Sequence, residues 1–224
     1  STLLNIIAGL EEPTDGTIRS PAQQSHQRLG SISYMHQKDL LLPWRTVLDN
    51  TILALEIQGQ SKSQARKRAL QLMGSFGLKG FEKSYPSLLS GGMRQRAAFL
   101  RTVLANRNII LLDEPFGALD SITRTSMQEW LLQLCMSWRK TVLMVTHDVE
   151  EAVLLSDRVY VLTSRPAHVK KVVEVNLPRP RKYDMVMQEE FISIKSELMS
   201  SLREEAGRAF NLDNRTFEIS GTDT

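Results

Sequence analysis

Ile109-Ile110-Leu111-Leu112-Asp113-Glu114-Pro115 decides the architecture. Four consecutive apolar residues without alternation fit a parallel strand covered on both faces. The run stops at two carboxylates and a proline, which has no N–H to continue a ladder. A second run, Val142-Leu143-Met144-Val145, stops at Thr146-His147-Asp148, and a helical pattern over about residues 123–138 separates the two. Residues 30–36 read as an earlier strand that ends at His36-Gln37. Strands alternating with helices predict an α/β layer fold. Ligands of open α/β sheets bind beyond the carboxyl ends of the strands, so Asp113 and Glu114 stand where chemistry is expected. The same pair, taken alone, reads equally well as a cap for the following helix.

Outward from this centre, Leu3, Leu4, Ile6, Ile7 and Leu10 recur at helical spacing, with Gly9 placed to end the helix at positive φ. Glu12-Pro13-Thr14-Asp15-Gly16 is a turn, and Thr17-Ile18 reads as a short strand. Residues 38–89 are mostly helical, most clearly over 49–57 and 63–76, with breaks at Gly59 and Gly77. A helix over 90–106 opens with Ser90 as N-cap and two glycines in its first turn. Residues 159–162 and 172–175 read as final strands, and Pro178-Arg179-Pro180-Arg181 as a linker. Beyond it Met187, Phe191, Ile194, Leu198 and Leu202 form a stripe on a helix opened by Asp184, and the last dozen residues are polar and expected to be loose.

Bulk properties narrow the function classes. The 224 residues are 42% hydrophobic and 24% charged, ordinary for a globular chain, and the formal net charge of +3 does not call for nucleic acid as a partner. Arg66-Lys67-Arg68 reads as a solvated helix face. The single cysteine, Cys135, cannot form an internal disulfide, which suits a reducing compartment. No apolar run reaches the roughly 18 residues that span a bilayer.

Ser90-Gly91-Gly92-Met93-Arg94-Gln95-Arg96 is the second decisive stretch. A serine cap followed by glycines leaves backbone N–H groups unshielded at the positive end of a helix dipole, which favours an anion. Together with the strand ending in Asp113, this loop resembles the signature loop of ABC ATPases. The resemblance implies a P-loop ATPase core with a parallel sheet flanked by helices and an inserted helical subdomain. The core would comprise residues 1–37 and 90–177, the helical subdomain 38–89, and a linker, amphipathic helix and tail 178–224.

In that family the signature loop of one subunit meets the γ-phosphate of ATP held by the other. The resemblance therefore implies a head-to-tail homodimer, with Ser90, Gly91, Gly92 and Gln95 facing nucleotide and Asp120 in the segment that crosses the dimer interface. It implies Asp113 as a Mg²⁺ ligand of the Walker B kind, Glu114 as general base, His147 as the switch histidine and Gln37 as the glutamine that senses Mg²⁺. Ser1-Thr2-Leu3-Leu4-Asn5 resembles the residues just after the P-loop lysine, so Ser1 would bind Mg²⁺ and Thr2 a phosphate. On this likeness residue 1 falls inside the phosphate loop. The loop's glycines and lysine, the strand feeding it and a β-subdomain are then missing from residues 1–224, and the polypeptide as it stands is expected neither to bind ATP tightly nor to hydrolyse it.

Leu41-Leu42-Pro43-Trp44-Arg45-Thr46-Val47-Leu48-Asp49-Asn50, Met93, Ser164-Arg165-Pro166 and Leu177-Pro178-Arg179-Pro180-Arg181 are similar to nitrate, aliphatic sulfonate and taurine importers. Thiamine-precursor importers carry similar ATPases. The implied partners are two integral membrane permease subunits and, indirectly, a solute-binding protein, with the chain at the cytoplasmic face of the inner membrane. Two other classes compete. One is a non-transport ABC protein of translation or repair, which usually carries two cassettes or a coiled-coil insertion; the other is a non-catalytic remnant.

Overall fold

A computed structural model describes residues 1–19, 28–137 and 140–219. By compactness the chain forms two units, one of residues 1–130 with 134–146, the other of residues 131–133 with those from 147 onward. That grouping by contacts is separate from the division at residues 37, 89 and 177 expected from the sequence.

The first unit is built on a parallel sheet of β1 (Ile32–Met35), β2 (Ile109–Asp113) and β3 (Thr141–Val145), in that spatial order. Ile32 pairs with Ile109 and Ile109 with Thr141, so all three strands deliver their carboxyl ends to one edge. β2 is central and buried from Ile110 to Asp113, which is why its apolar run is unbroken. β3 is only half-buried, the pattern of an outer strand among the described residues. Helix α1 (Thr2–Ala8) lays Leu4 and Ala8, one turn apart, against Leu111. It stops at Gly9, whose φ of 79° lets Leu10 N donate back to Asn5 O. No strand forms at Thr17-Ile18. Among the described residues no strand pairs with them.

The predicted helix over 49–57 is two short ones, α2 (Val47–Thr51) and α3 (Leu53–Ile57), divided at Ile52. Thr46 sets the start two residues earlier than the apolar pattern suggests, its Oγ1 accepting from Asp49 N at 3.2 Å. α4 (Lys62–Met73) is capped by Ser61, and α5 (Gly91–Leu104) follows a 3₁₀ turn at Pro86–Leu88. Asn50, fully buried, locks the chain that enters α2. Its Oδ1 accepts from Leu42 N at 2.7 Å, and its Nδ2 donates to the carbonyls of Leu42, Arg45 and Thr46 at 3.0–3.1 Å. α6 (Ser121–Ser137) brings Trp130 edge-on to Phe76 and Phe99, and Phe99 meets Phe116 in the same way. Residue 138, included in the predicted helix, lies outside the described residues.

The second unit packs α7 (Val149–Leu155) and α8 (Glu189–Ile219) with the antiparallel pair β4 (Arg158–Leu162) and β5 (Val169–Glu174). Phe191 and Leu198 of α8 enter its core as the stripe predicts, whereas Met187 is 81% exposed. Met187 sits in a 3₁₀ turn, Tyr183–Met187, so the helical period does not extend back to it. The predicted linker carries a structural group: the buried guanidinium of Arg181 donates to the carbonyls of Val153, Ser156 and Val175, at 3.2, 2.6 and 2.8 Å. α8 runs to Ile219 where a loose tail is expected, and residues 220–224 lie outside the described ones.

Asn50→Ala leaves Leu42 N and Arg45 O without their side-chain partner, while Leu42 O and Thr46 O keep backbone donors, and we expect it to lower the unfolding free energy by about 2–3 kcal/mol. Urea denaturation measures this as a fall in midpoint at constant slope; a change under about 0.5 kcal/mol contradicts the role given to Asn50.

Candidate functional site

β2 ends on Asp113, which is buried, and the chain turns immediately at Glu114. Ser1 Oγ donates to Asp113 Oδ2 at 2.6 Å across 112 residues of sequence. The packing of Leu4 and Ala8 on Leu111 makes this meeting possible, because it brings the start of α1 to the end of β2. Thr2 opens α1 and is exposed.

Glu114 has a φ of 48°, a left-handed conformation that costs a residue with a side chain on the order of 1–3 kcal/mol. Such strain persists where neighbours over-determine it. Glu114 N donates to Val145 O at 2.9 Å, and its carbonyl accepts from Gly117 N at 3.2 Å and from Gln95 Nε2 at 3.0 Å. Gln37 Nε2 donates to Glu114 Oε2 at 3.2 Å, so the strand-end glutamine and the strand-end glutamate are brought together.

Ser90 caps α5, its Oγ accepting from Met93 N at 3.3 Å, with Gly91 and Gly92 in the first turn. A Cβ on Gly92 would lie 3.4 Å from Leu119 Cδ2 and 3.6 Å from Ala118 O, so the loop packs closely on the segment after Glu114. Gln95, 5% exposed, points inward from α5, and its Oε1 accepts from Ala118 N at 3.0 Å. Asp120 accepts from Thr123 N at 3.0 Å as α6 begins, and that bond holds its exposed carboxyl below the usual carboxylate range. His147 lies in the second unit, one residue before Asp148, which caps α7 by accepting from Glu150 N and Glu151 N.

Three further residues belong to this constellation. Arg94 Nε bonds Asp39 Oδ2 at 3.1 Å, and Arg101 donates to the carbonyls of Asp39 and Leu40 at 2.7 and 2.8 Å. Leu40, at φ 47°, is a second strained residue, and α5 holds it as it holds Glu114. The sequence carries a faint signal for this: Arg94 and Arg101 are two turns apart, on one face of a helix. Tyr34 is the third. Its hydroxyl donates to Asn5 Oδ1 at 3.1 Å and its ring lies 3.9 Å from that of His36. Burial, then the negative charges of Asp113 and Glu11, pushes the Tyr34 phenol up to about 12. Burial also lowers His36, against the opposing pull of Asp113.

Among the described residues no group of three or more His, Cys, Asp or Glu side chains could hold a metal ion. The paired Ser1 hydroxyl and Asp113 carboxylate fit Mg²⁺ instead. That ion takes oxygen donors, keeps several waters and binds through one or two carboxylates plus substrate phosphates.

The family model described as "ABC transporter" matches residues 1–117. The chain belongs to the ABC transporter family. Over 210 residues it is 47% identical to the formylaminopyrimidine import ATP-binding protein ThiZ of Halalkalibacterium halodurans, covering 93% of this chain and 82% of that protein. Over 181 residues it is 49% identical to the aliphatic sulfonates import ATP-binding protein SsuB 1 of Rhodococcus jostii, covering 81% and 69%. Among solved structures, the dimeric post-hydrolysis state of the ATP-binding cassette MJ0796 bound to ADP and Pi superposes with a TM-score of 0.69 at 31% identity, over 79% of this chain and 81% of that one. The α/β fold expected from the sequence is thus the ABC ATPase fold. No helix among the described residues is long and apolar enough to cross a membrane.

Tyr34 gives this ABC subunit a pH signature. Its phenol stays neutral in the fold above its ordinary value of 10.0, so the stability it contributes is whole below pH 10 and is lost as pH rises toward about 12. A tyrosinate absorbance titration should contain a component that ionises late, and Tyr34→Phe should remove it. A high-pH titration that Tyr34→Phe leaves unchanged contradicts the assignment.

Proposed function

We propose that this chain is the ATP-hydrolysing subunit of an ABC importer for a small solute, and that Ser1, Gln37, Asp113 and Glu114 form its hydrolytic centre. The observation carrying this reading is the juxtaposition at the end of β2: Ser1 on the carboxylate of Asp113 and Gln37 on that of Glu114. When bound, ATP supplies the phosphoanhydride and Mg²⁺ screens its charge. Ser1 and Asp113 hold the cation side of the site and Thr2 contacts a phosphate. Glu114 takes the proton of the attacking water at its carboxylate, while Gln37 steadies that carboxylate by a hydrogen bond. His147, two residues after β3, takes the part of the switch histidine toward the γ-phosphate.

Ser90, Gly91 and Gly92 offer free N–H groups at the start of α5 to nucleotide held by a second copy, and Asp120 lies across that head-to-tail interface. Residues 1–37 and 90–177 act as the ATPase core and 38–89 as the helical subdomain that receives the membrane permease. Residues 178–224 provide the linker, amphipathic helix and tail. The subunit works at the cytoplasmic face of the membrane, with two permease subunits and a solute-binding protein.

The cargo is a small anion such as a sulfonate, nitrate or taurine, supported by the 49% identity to SsuB 1. A formylaminopyrimidine is the second cargo reading, supported by the 47% identity to ThiZ over more of the chain.

The test is ATP turnover by the full-length subunit. Glu114→Gln, which keeps the size and the hydrogen bond to Gln37 Nε2, should lower kcat at least about 100-fold. Binding of Mg-ATP should be retained. Turnover within about threefold of wild type would refute the general-base role.

A further inference from the structure

We infer that Gln95 is a positioning residue for Glu114, fixing the loop that carries the base while its amide makes no contact with nucleotide. Both ends of the side chain are committed inside the chain. Nε2 donates to Glu114 O at 3.0 Å and Oε1 accepts from Ala118 N at 3.0 Å. With 5% of its surface exposed, Gln95 is enclosed between α5 and the 114–118 turn.

A buried amide that satisfies one carbonyl and one N–H of the same turn fixes the separation of those two groups. The carbonyl it holds belongs to the residue in a left-handed conformation, Glu114 at φ 48°. Gly117 N donates to the same carbonyl at 3.2 Å, so Gln95 and the turn's own backbone together hold Glu114 in a conformation its side chain disfavours. Neither bond carries net charge, so the restraint persists through the charge changes of a hydrolytic cycle. Gln95 stands five positions after the cap Ser90 on one rigid helix, so displacement of the Ser90 turn is transmitted to the Glu114 carbonyl through this amide. Arg101 repeats the arrangement at the other strand end, holding the carbonyl of Leu40 at φ 47°.

This inference rests on Glu114 being the general base. Its test therefore includes a readout independent of turnover. In the full-length subunit, Gln95→Leu removes donor and acceptor with little change in shape. The Ala118 amide should then lose protection from hydrogen exchange by at least about tenfold, while the amides of residues 109–112 keep theirs. ATP turnover should fall on the order of 10- to 100-fold in kcat, with KM for ATP within about twofold.

Gln95→Glu separates positioning from folding. Its ionised carboxylate faces the Glu114 carbonyl without a proton to donate, and on protonation the donor returns. Its kcat relative to wild type should therefore recover as pH falls from 8 toward 5. A rise in KM at unchanged kcat, unchanged Ala118 protection, or a flat relative pH profile overturns the positioning role. If wild-type subunit shows no turnover while Ala118 loses protection in Gln95→Leu, the functional reading fails and the structural tie stands.

Discussion

Asp113 places a carboxyl group out of water at the end of the central strand, and much of the first unit is arranged around that burial. A buried carboxylate is costly unless hydrogen bonds or a cation compensate it. Here the compensation comes from Ser1, 112 residues away, and it requires α1 to lie along β2 so that its start reaches the strand's end. The contact of Leu4 and Ala8 with Leu111 therefore fixes where Ser1 stands as well as adding stability. The same negative charge reaches Tyr34 and helps keep its phenol neutral beside α1. A cation brought to this pocket would find two oxygens already paired and little side-chain entropy left to lose.

Around this centre α5 acts as a rigid rod with three attachments. Its capped first turn packs on residues 118–119, its middle holds Glu114 and Ala118 through Gln95, and Arg94 with Arg101 grips the segment leaving Gln37. Two strained residues, Leu40 and Glu114, follow β1 and β2 closely, and side chains of this one helix hold the carbonyls of both. A loop free to relax would let Leu40 and Glu114 return to φ below zero and move the side chains next to them. Strain held by a helix keeps Gln37 and Glu114 within hydrogen-bond distance.

The segment preceding α2 shows the same economy with uncharged groups. Asn50 satisfies the backbone of residues 42–46, so this corner keeps its shape while presenting Trp44, 72% exposed, to the outside. A bulky indole on a stiff corner loses little conformational freedom when a partner covers it. The three helices of residues 47–73 are short and start at Thr46, Ile52 and Ser61, two of which cap with a side-chain oxygen.

The sequence by itself determined the type and order of the elements in the sheet. The uninterrupted apolar run at 109–112 is buried from Ile110 onward, the one at 142–145 is half-buried, and the polar residues that end them mark one edge. Ser90, Gly91 and Gly92 were legible because capping is local chemistry. Local pattern failed where long-range partners decide the outcome. Thr17-Ile18 has the composition of a strand but pairs with no described strand, Met187 continues a stripe that a 3₁₀ turn interrupts, and Arg181 looks like linker while holding the carbonyls of Val153, Ser156 and Val175. Only the tertiary structure decided that Gln95 turns inward onto Glu114 and Ala118, and that Arg94 and Arg101 reach the segment after Gln37. Those contacts join residues 19 to 62 positions apart, and a distance of that kind is set by how helices pack on a sheet. Spacing along the chain does not record it.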